Sequence, residues 1–259
     1  MIFDSHVHSA ASPDSEASPS EIIATLAKKG LGCAFTEHIE YNANLEPFFC
    51  VDFDKYPKDY LRYKSSSVVV GVELSLIPQA IELNRQHTAN PEYDFIIGSI
   101  HVINGLDIGA NADITKEWFS KWGEETYLHF FEDSLNMVKT NEFFDSFGHI
   151  DYISRYSTLA EKNVLYDKYA DQYDNLLKAL IERDKLLEFC TKRIGEKSAC
   201  ENLCKIYARY KELGGQYVTM GSDAHTIDQL GYKFDLAVDI LNEIGLKPVY
   251  FKNRKMILN

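Results

Sequence analysis

Histidines and carboxylates that could bind a metal ion recur along this chain at short, regular spacings. His6 and His8 are separated by one residue, and Asp223 and His225 repeat that spacing near the other end of the chain. In an extended segment, residues i and i+2 point to the same side, so both side chains of such a pair can reach one ion. Imidazole nitrogen combined with carboxylate oxygen suits Zn²⁺, Mn²⁺ or Fe²⁺ and matches Ca²⁺ poorly.

Short apolar segments that could be buried strands alternate with helical segments. Runs rich in β-branched and aromatic residues predict strands at residues 2–5, 32–36, 68–73, 94–100, 143–149, 186–189, 217–220 and 248–251. The first helix opens at Ser18, where Pro19 and Glu21 complete a capping box, and it stops at Gly30. Further helices are predicted over residues 116–140, 169–183, 199–213 and 233–244.

This alternation predicts an α/β fold in which helices cover a parallel sheet. An open, doubly wound sheet and a closed barrel both fit the pattern. The first strand is followed by His6-Val7-His8 rather than by a glycine-rich phosphate loop, which counts against a nucleotide-binding open sheet. A barrel brings the C-terminal ends of its strands together, so functional side chains should recur there.

Most of the histidines do stand at or just after predicted strand ends. Six of the eight follow this rule, namely His6, His8, His38, His101, His149 and His225, and no role is predicted for His87 and His129. Glu73 and Asp223 also stand at strand ends, and Glu73 could bridge two ions through its two oxygens. So many donors exceed the capacity of one ion, so a cluster of ions about 4 Å apart is expected, as in phosphoester hydrolases.

The motifs HVH, TEH, GVE, GSIH, GHID and GSDAH, in this order, resemble those of the polymerase-and-histidinol-phosphatase (PHP) superfamily of metallohydrolases. The resemblance extends from His6 to about Lys255. Within the superfamily, FTEH, FDSFGHIDYISRY, LEF-x-T and GLKPVYFKNRK are similar to the monofunctional histidinol-phosphate phosphatases. The resemblance implies one catalytic domain over residues 1–259, folded as a distorted (β/α)7 barrel with its metal site at the C-terminal ends of the strands.

The resemblance also implies the ligands and the cofactor, which is two or three divalent ions of zinc, manganese or iron. The implied ligands are His6, His8, Asp14, His38, Glu73, His101, His149, Asp223 and His225. Asp14 enters through the resemblance alone and stands where many members have a histidine. Glu37 lies beside His38 but should point away from it on a strand, so it is expected to support the ligands rather than to bind metal.

Two cationic residues are implied in phosphate recognition. Arg155 is similar to a phosphate-contacting arginine of the family, and a planar guanidinium suits a phosphate group. After the sixth strand Arg193 and Lys192 compete for a second such role, because the chain reads CTKRIG where relatives read NTSGLR. The implied substrate is a small phosphate ester, L-histidinol phosphate, attacked by a metal-bridging hydroxide that Asp223 and His225 help to hold.

The cationic end of such a substrate could be received by acidic and aromatic residues. Candidates follow the second strand and are Glu40, Tyr41, Phe48, Phe49 and Phe53. Alternatives that keep the metals are a phosphoesterase or nuclease of the same superfamily acting on another substrate, and an amidohydrolase-like enzyme. A metal-storage protein is a further alternative, and Cys200 and Cys204 are either a metal-binding pair or two small apolar side chains on a helix.

Composition restricts the partners. The 259 residues carry 27 Lys+Arg against 39 Asp+Glu, a net charge of −12, which argues against binding nucleic acid or an anionic membrane surface. No apolar run reaches the roughly 20 residues of a transmembrane helix, and the N-terminus does not resemble a secretory signal. The five cysteines are odd in number and irregularly spaced, so a cytoplasmic location is expected. The oligomeric state is left open.

Overall fold

The computed structural model describes residues 1–103, 105–109 and 112–258. Its strands are β1 (Phe3–Val7), β2 (Gly32–Tyr41), β3 (Pro47–Cys50), β4 (Val68–Ser75), β5 (Phe95–Ser99), β6 (Val102–Ile103), β7 (Leu106–Asp107), β8 (Ser146–Phe147), β9 (Leu186–Cys190), β10 (Tyr217–Gly221), β11 (Lys247–Lys252) and β12 (Lys255–Leu258). Its α-helices are α1 (Pro19–Lys28), α2 (Tyr56–Tyr60), α3 (Ile81–Thr88), α4 (Ala112–Trp122), α5 (Glu125–Thr140), α6 (Ala170–Glu182), α7 (Lys197–Glu212) and α8 (Phe234–Ile244). Within these residues, no helix is both long and apolar enough to cross a bilayer.

The central sheet is mostly parallel, which confirms the predicted α/β class. Its strands lie in the order β1-β2-β4-β5-β8-β9-β10-β11-β12, and β3 pairs with β2 outside this path. Neighbours from β1 to β11 run parallel, whereas β11–β12 and β2–β3 are antiparallel hairpins. Parallel neighbours share an edge for their C-terminal ends, and the predicted ligands follow those ends.

The end of β1 also meets the segment that follows β10. Val7 forms an isolated parallel bridge with Ala224, and the amide of His8 donates to the Ala224 carbonyl at 2.9 Å. Nearer the start of β1, the Asp4 carboxylate accepts hydrogen bonds from the Ser222 amide at 2.9 Å and the Ser222 hydroxyl at 2.6 Å. These contacts bring the first and last predicted ligand motifs together.

One face of the sheet changes from apolar to polar along the strands. Its apolar end is a small buried cluster that contains Phe3, Ala34, Val69, Phe95, Ile97 and Phe251. Because side chains on one face recur every second residue, Val69 lies on the same face of β4 as Glu73, and Ala34 on the same face of β2 as His38. Along this face, the alternation therefore places apolar residues near the N-terminal ends of the strands and the predicted ligands near the C-terminal ends.

Several elements differ from the predictions. The helix predicted over residues 116–140 is two helices, α4 and α5, because the chain turns at Gly123, whose φ is 54°. Strand β2 continues to Tyr41 instead of ending at residue 36, because β3 pairs with its second half. Helices α2 and α3 and strands β3 and β12 were not predicted. The capping box was predicted correctly, since the Glu21 amide donates to Ser18 Oγ at 3.3 Å.

Candidate metal centre

The first cluster of predicted ligands contains His6, His8, Glu73 and Asp223. Glu73 Oε2 lies 3.2 Å from His6 Nε2 and 3.5 Å from His8 Nε2. Asp223 Oδ1 lies 3.8 Å from His6 Nε2 and 3.6 Å from His8 Nε2. All four side chains are buried, so their donor atoms converge on one interior point.

The second cluster contains Glu73, His101 and His149, and it uses the other oxygen of Glu73. Glu73 Oε1 lies 2.8 Å from His149 Nε2 and 3.3 Å from His101 Nε2, and the two imidazole nitrogens are 3.3 Å apart. Ser99 donates a hydrogen bond to the same Glu73 oxygen at 2.7 Å, which fixes the carboxylate. Glu73 therefore faces both clusters, as a bridging ligand must.

The third cluster contains Asp14, His38 and His225. Asp14 Oδ2 lies 3.0 Å from His225 Nε2 and 3.3 Å from His38 Nε2. His8 connects this cluster to the first one, because its ring stacks between those of His38 and His225 at centroid distances of 4.1 and 4.2 Å. The side chain of Asp14 is 33% exposed, so the third cluster is the one that opens to solvent.

The two pairs with a spacing of two residues, His6 with His8 and Asp223 with His225, differ in geometry. His6 and His8 both face the first cluster, as the alternation of an extended segment requires. Asp223 adopts the left-handed conformation with φ of 53°, so it and His225 do not form a straight extended pair. Asp223 faces the first cluster whereas His225 faces Asp14 of the third. The expectation that this pair reaches one ion stays a prediction, because His225 Nδ1 lies 3.6 Å from Asp223 Oδ1 while its Nε2 faces Asp14.

The three clusters fit divalent metal ions. Tetrahedral ligation with bonds of about 2.0–2.1 Å places ligand atoms about 3.3–3.4 Å apart, and the nearest separations within each cluster are close to this value. His6 Nε2, His8 Nε2 and Glu73 Oε2 are buried and lack a well-directed hydrogen-bond partner, which would be costly without a cation between them. Groups able to hold an ion within the described residues also include His38, Glu40 and His101.

Carboxylates outside the predicted ligand set stabilise the site through hydrogen bonds to the ligands or to their neighbours. Glu188 Oε1 accepts a hydrogen bond from His6 Nδ1 at 2.7 Å, and its Oε2 accepts one from the His149 amide at 2.7 Å. Glu37 accepts hydrogen bonds from the Ser9 and Ser12 hydroxyls, each at 2.6 Å, on the far side of β2 from His38. Hydrogen bonding of this kind fixes the orientation and tautomer of metal-binding imidazoles.

The electrostatics of the site favour cations. Burial would raise the pKa of Glu73, but His6 and His101 hold that pKa well below its usual value. Burial would equally raise the pKa of Asp223, but Arg155 and His8 keep it well below the usual range. The ligand carboxylates are therefore ionised at neutral pH.

The imidazoles divide into two groups by their neighbours. Burial would lower the pKa of His6, but Glu188 and Glu73 raise it well above its usual value. Burial likewise opposes the charged forms of His38 and His101, yet nearby carboxylates raise the pKa of each. Burial and the adjacent rings of His38 and His225 lower the pKa of His8.

Arg155 lies at the edge of the first cluster. Its Nη1 donates to Asp223 Oδ2, its Nη2 donates to Cys190 Sγ at 3.4 Å, and its guanidinium packs over Tyr152 at 5.1 Å. Its Nε is buried without a hydrogen-bond partner, and the side chain lines the pocket that contains the clusters. The side chain is thus held in place with donors left over.

The other two candidate cations, Arg193 and Lys192, are paired with protein groups. Arg193 donates to Asp151 Oδ2 at 2.8 Å and to Asn163 Oδ1 at 2.7 Å, and it does not line this pocket within the described residues. Lys192 donates from Nζ to the Asp223 carbonyl at 2.6 Å, so it stabilises the backbone at a predicted metal-binding residue.

The aromatic candidates after the second strand are divided between the pocket and its support. Phe49 lines the pocket, whereas Tyr41 forms a hydrogen bond with His87 Nε2 at 2.6 Å and Phe53 stacks on His87 at 3.9 Å. Phe48 packs edge-on against Phe49 at 5.5 Å. Tyr152, Tyr156, Asp107 and Gly109 also line the pocket.

The remaining residues without a predicted role are structural in their contacts. His129 lies edge-on to Trp118 and Trp122 at centroid distances of 6.4 and 5.4 Å. Cys200 and Cys204 are free thiols that pack against the apolar core. The packing of the two cysteines agrees with the simpler alternative, two small apolar side chains on a helix.

Sequence reasoning missed Glu188 and the position of Glu40. Glu188 is a charged residue inside the otherwise apolar strand β9, and that contrast is the signal that could have identified it. Glu40 Oε1 lies 2.8 Å from the Nδ1 atoms of both His38 and His101. Its signal was the spacing of two residues from His38, which was overlooked because β2 was predicted to end at residue 36.

Three comparisons place the chain among known proteins. The sequence model of the PHP domain matches residues 4–192. A protein of Clostridium acetobutylicum named "Probable histidinol-phosphatase" is 40% identical over 256 residues, which cover 99% of each chain. The "Histidinol-phosphatase" of Lactococcus lactis is 27% identical over 233 residues, covering 86% of this chain and 83% of that protein.

A solved structure matches the fold along nearly the whole chain. It is histidinol phosphate phosphatase from Lactococcus lactis, complexed with zinc, L-histidinol and phosphate, and it aligns with a TM-score of 0.81 at 22% identity. The match covers 99% of this chain and 98% of that one. Given the length of the family match and the identity to the first relative, this chain belongs to the PHP domain family.

Proposed function

We propose that this chain is a metal-dependent histidinol-phosphatase, which hydrolyses L-histidinol phosphate to L-histidinol and phosphate. The observation that carries the proposal is the position of Glu73, whose two oxygens face two separate groups of buried imidazoles. The family and its relatives named histidinol-phosphatase support the substrate. Zinc is supported by the neighbour that binds it, and we extend the proposal to two or three ions, with manganese or iron as alternatives.

The residues of the chain have distinct parts in this reaction. Divalent ions bound here would supply hydroxide at neutral pH and neutralise phosphoryl oxygens. His6, His8, Glu73 and Asp223 would hold one ion, and Glu73 would share a second with His101 and His149. Asp14, His38 and His225 would hold a third ion. Asp223 and His225 would also help to position the nucleophile.

Arg155 would bind the phosphate. Its guanidinium is held against Asp223 and Tyr152, and the side chain lines the pocket beside the first cluster with N–H donors left over. A fixed cation next to the developing charge stabilises the transition state without reorganisation. Arg193 remains proposed as a second phosphate contact, and it would have to release Asp151 and Asn163 to reach the pocket.

The rim of the pocket suits the cationic end of the substrate. Asp107 contributes a carboxylate there, and Phe49, Tyr152 and Tyr156 contribute aromatic faces. A cation near aromatic faces and a carboxylate gains both cation–π and Coulombic energy. We therefore propose that the ammonium and imidazole groups of histidinol lie on this side.

We extend the proposal to the architecture of the domain and to the location of the protein in the cell. The parallel bridge between Val7 and Ala224 supports closure of the sheet into a distorted (β/α)7 barrel within one domain of residues 1–259. Free thiols at the cysteines support a reducing cytoplasm, where the enzyme would serve histidine biosynthesis.

A substrate panel tests the function. Phosphate release by the zinc-reconstituted protein is measured with L-histidinol phosphate and p-nitrophenyl phosphate, and cleavage of a single-stranded oligonucleotide is followed by gel electrophoresis. We expect kcat/KM for histidinol phosphate to exceed that for the generic ester by at least about 100-fold, since binding of the histidinol moiety adds about 2.7 kcal/mol. Equal or better turnover of the generic ester would contradict the substrate, and hydrolysis of the oligonucleotide would favour a nuclease.

A further inference from the structure

We propose that Glu40 is a positioning residue that couples the second and third metal clusters by holding His101 and His38 through one carboxylate oxygen. This inference rests on the proposed metal centre but assigns a role to a residue outside the predicted ligand set. Glu40 is 5% exposed and lies on β2, two residues beyond His38.

Glu40 lies against the Nδ1 atoms of both rings. His101 Nδ1 donates a hydrogen bond to Glu40 Oε1 at 2.8 Å, while His101 Nε2 faces Glu73 and His149. His38 Nδ1 lies 2.8 Å from the same Glu40 oxygen and 3.1 Å from Glu73 Oε2, while His38 Nε2 faces Asp14. Each imidazole therefore directs Nε2 at a cluster and Nδ1 at Glu40, and His38 Nδ1 also approaches Glu73.

This arrangement favours an orienting role over direct ligation. An imidazole that binds metal through Nε2 commonly donates its Nδ1–H to a carboxylate, which fixes the ring and increases its basicity. Glu40 would do this for two rings that belong to different clusters. A change in its position or charge must therefore affect the second and third clusters together, whereas His6 of the first cluster is held by Glu188.

Burial makes the arrangement stable only when the carboxylate is paired. A buried carboxylate without partners is strongly unfavourable, and the two imidazoles compensate Glu40. Glu40 Oε1 lies 2.8 Å from both Nδ1 atoms, which is the pairing that its burial requires.

The test uses Glu40→Gln, which keeps the shape of the side chain and removes its charge. Zinc is titrated into chelator-treated wild-type and variant protein, and bound zinc is measured against a competing chelator of known affinity. We expect the weaker zinc sites of the variant to lose about 10- to 100-fold in affinity. We expect KM for histidinol phosphate at saturating zinc to stay within about twofold of wild type, because Glu40 holds ligands and does not contact substrate.

The control is Glu46→Gln, the same chemical change at an exposed position on the segment between β2 and β3. It should match wild type in both readouts. If Glu40→Gln does not fold by circular dichroism, Glu40→Asp is measured instead, since it keeps the charge but withdraws it from both rings and should weaken zinc binding likewise.

The outcomes separate this inference from the proposed function. Zinc affinity equal to wild type in the Glu40 variant would overturn the positioning role and leave the metal centre intact. Normal zinc affinity with a raised KM would overturn it in favour of a substrate contact, since Glu40 also lines the pocket. Failure of the wild-type protein to bind zinc would instead overturn the proposed function itself.

Discussion

Arg155 and Asp223 form a buried ion pair in which the carboxylate has two partners of different kinds. Arg155 Nη1 donates to Asp223 Oδ2, whereas Asp223 Oδ1 faces His6 Nε2 and His8 Nε2 at 3.8 and 3.6 Å. One carboxylate thus joins the first metal cluster to the cation proposed to bind phosphate. A metal ion held in the first cluster and the guanidinium would thus share one carboxylate, so the two could act on the same phosphate group.

Replacing Arg155 by alanine should lower kcat for histidinol phosphate by about 10²–10³-fold, because it removes a fixed donor beside the developing charge. Zinc content should stay at the wild-type value, because His6, His8 and Glu73 remain. Steady-state phosphate release and elemental analysis measure the two quantities. Arg62→Ala, at an exposed position on the 3₁₀ turn after α2, is the matched control. An Arg155 variant with unchanged kcat would refute the phosphate contact.

Zinc uptake by chelator-treated protein should release protons. The pKa values of His6, His38 and His101 are raised, so these rings carry a proton at about pH 7, and each must lose it to bind a cation. Raising the pH toward and beyond those raised pKa values deprotonates the rings in advance. Proton release per zinc should therefore decrease as the pH is raised above about 7. A pH indicator in weak buffer measures it, and release that does not change with pH contradicts the assignment.

Asp107→Asn should make the enzyme less selective. The substitution keeps an oxygen that can accept the Gly109 amide, which now donates to Asp107 Oδ1 at 2.7 Å, but removes the negative charge at the rim. We expect KM for histidinol phosphate to rise about tenfold, equivalent to about 1.4 kcal/mol, with KM for p-nitrophenyl phosphate unchanged. Asp59→Asn, at an exposed position on α2, controls for the loss of one charge. A parallel rise in both KM values would show that Asp107 does not recognise the cation.

Ser18→Ala should destabilise the protein without affecting the site. The Ser18 hydroxyl accepts the Glu21 amide at 3.3 Å, and loss of such a cap costs about 1 kcal/mol, or roughly 2–4 °C in Tm. Ser20→Ala, in the same turn, should change Tm by less than about 1 °C because its position is not the cap. Thermal unfolding followed by circular dichroism compares the two, and equal Tm values for both variants would rule out the cap as a stabilising contact.

The sequence predicted which side chains come together at the site, because most of their positions follow from strand periodicity. His6 and His8 face one cluster, and Glu73 lies above Val69 on one face of β4, as alternation requires. A pattern of period two is local, so it can be read without knowing the fold. The predicted α/β class followed from the same alternation of short strands and helices.

The sequence could not predict what depends on distant pairing or on backbone conformation. The role of Glu40 depends on β2 continuing past residue 36, and that extension is stabilised by β3, a strand without a local signal. The direction of Asp223 depends on its left-handed φ of 53°, held by contacts with the distant strand β1. Glu188 meets His6 across 182 residues of sequence. None of these contacts can be inferred from local spacing.

The most direct test of the central claim is the rate of phosphate release from L-histidinol phosphate by zinc-reconstituted protein and by the double variant His6→Ala, His8→Ala. We expect zinc-dependent turnover by wild type and a decrease of roughly 10³-fold or more in the variant, since two ligands of the first cluster are lost. His129→Ala, which removes a histidine that contacts two tryptophans of α4, should turn over like wild type. Turnover by the double variant at the wild-type rate would show that this cluster is not the catalytic metal site.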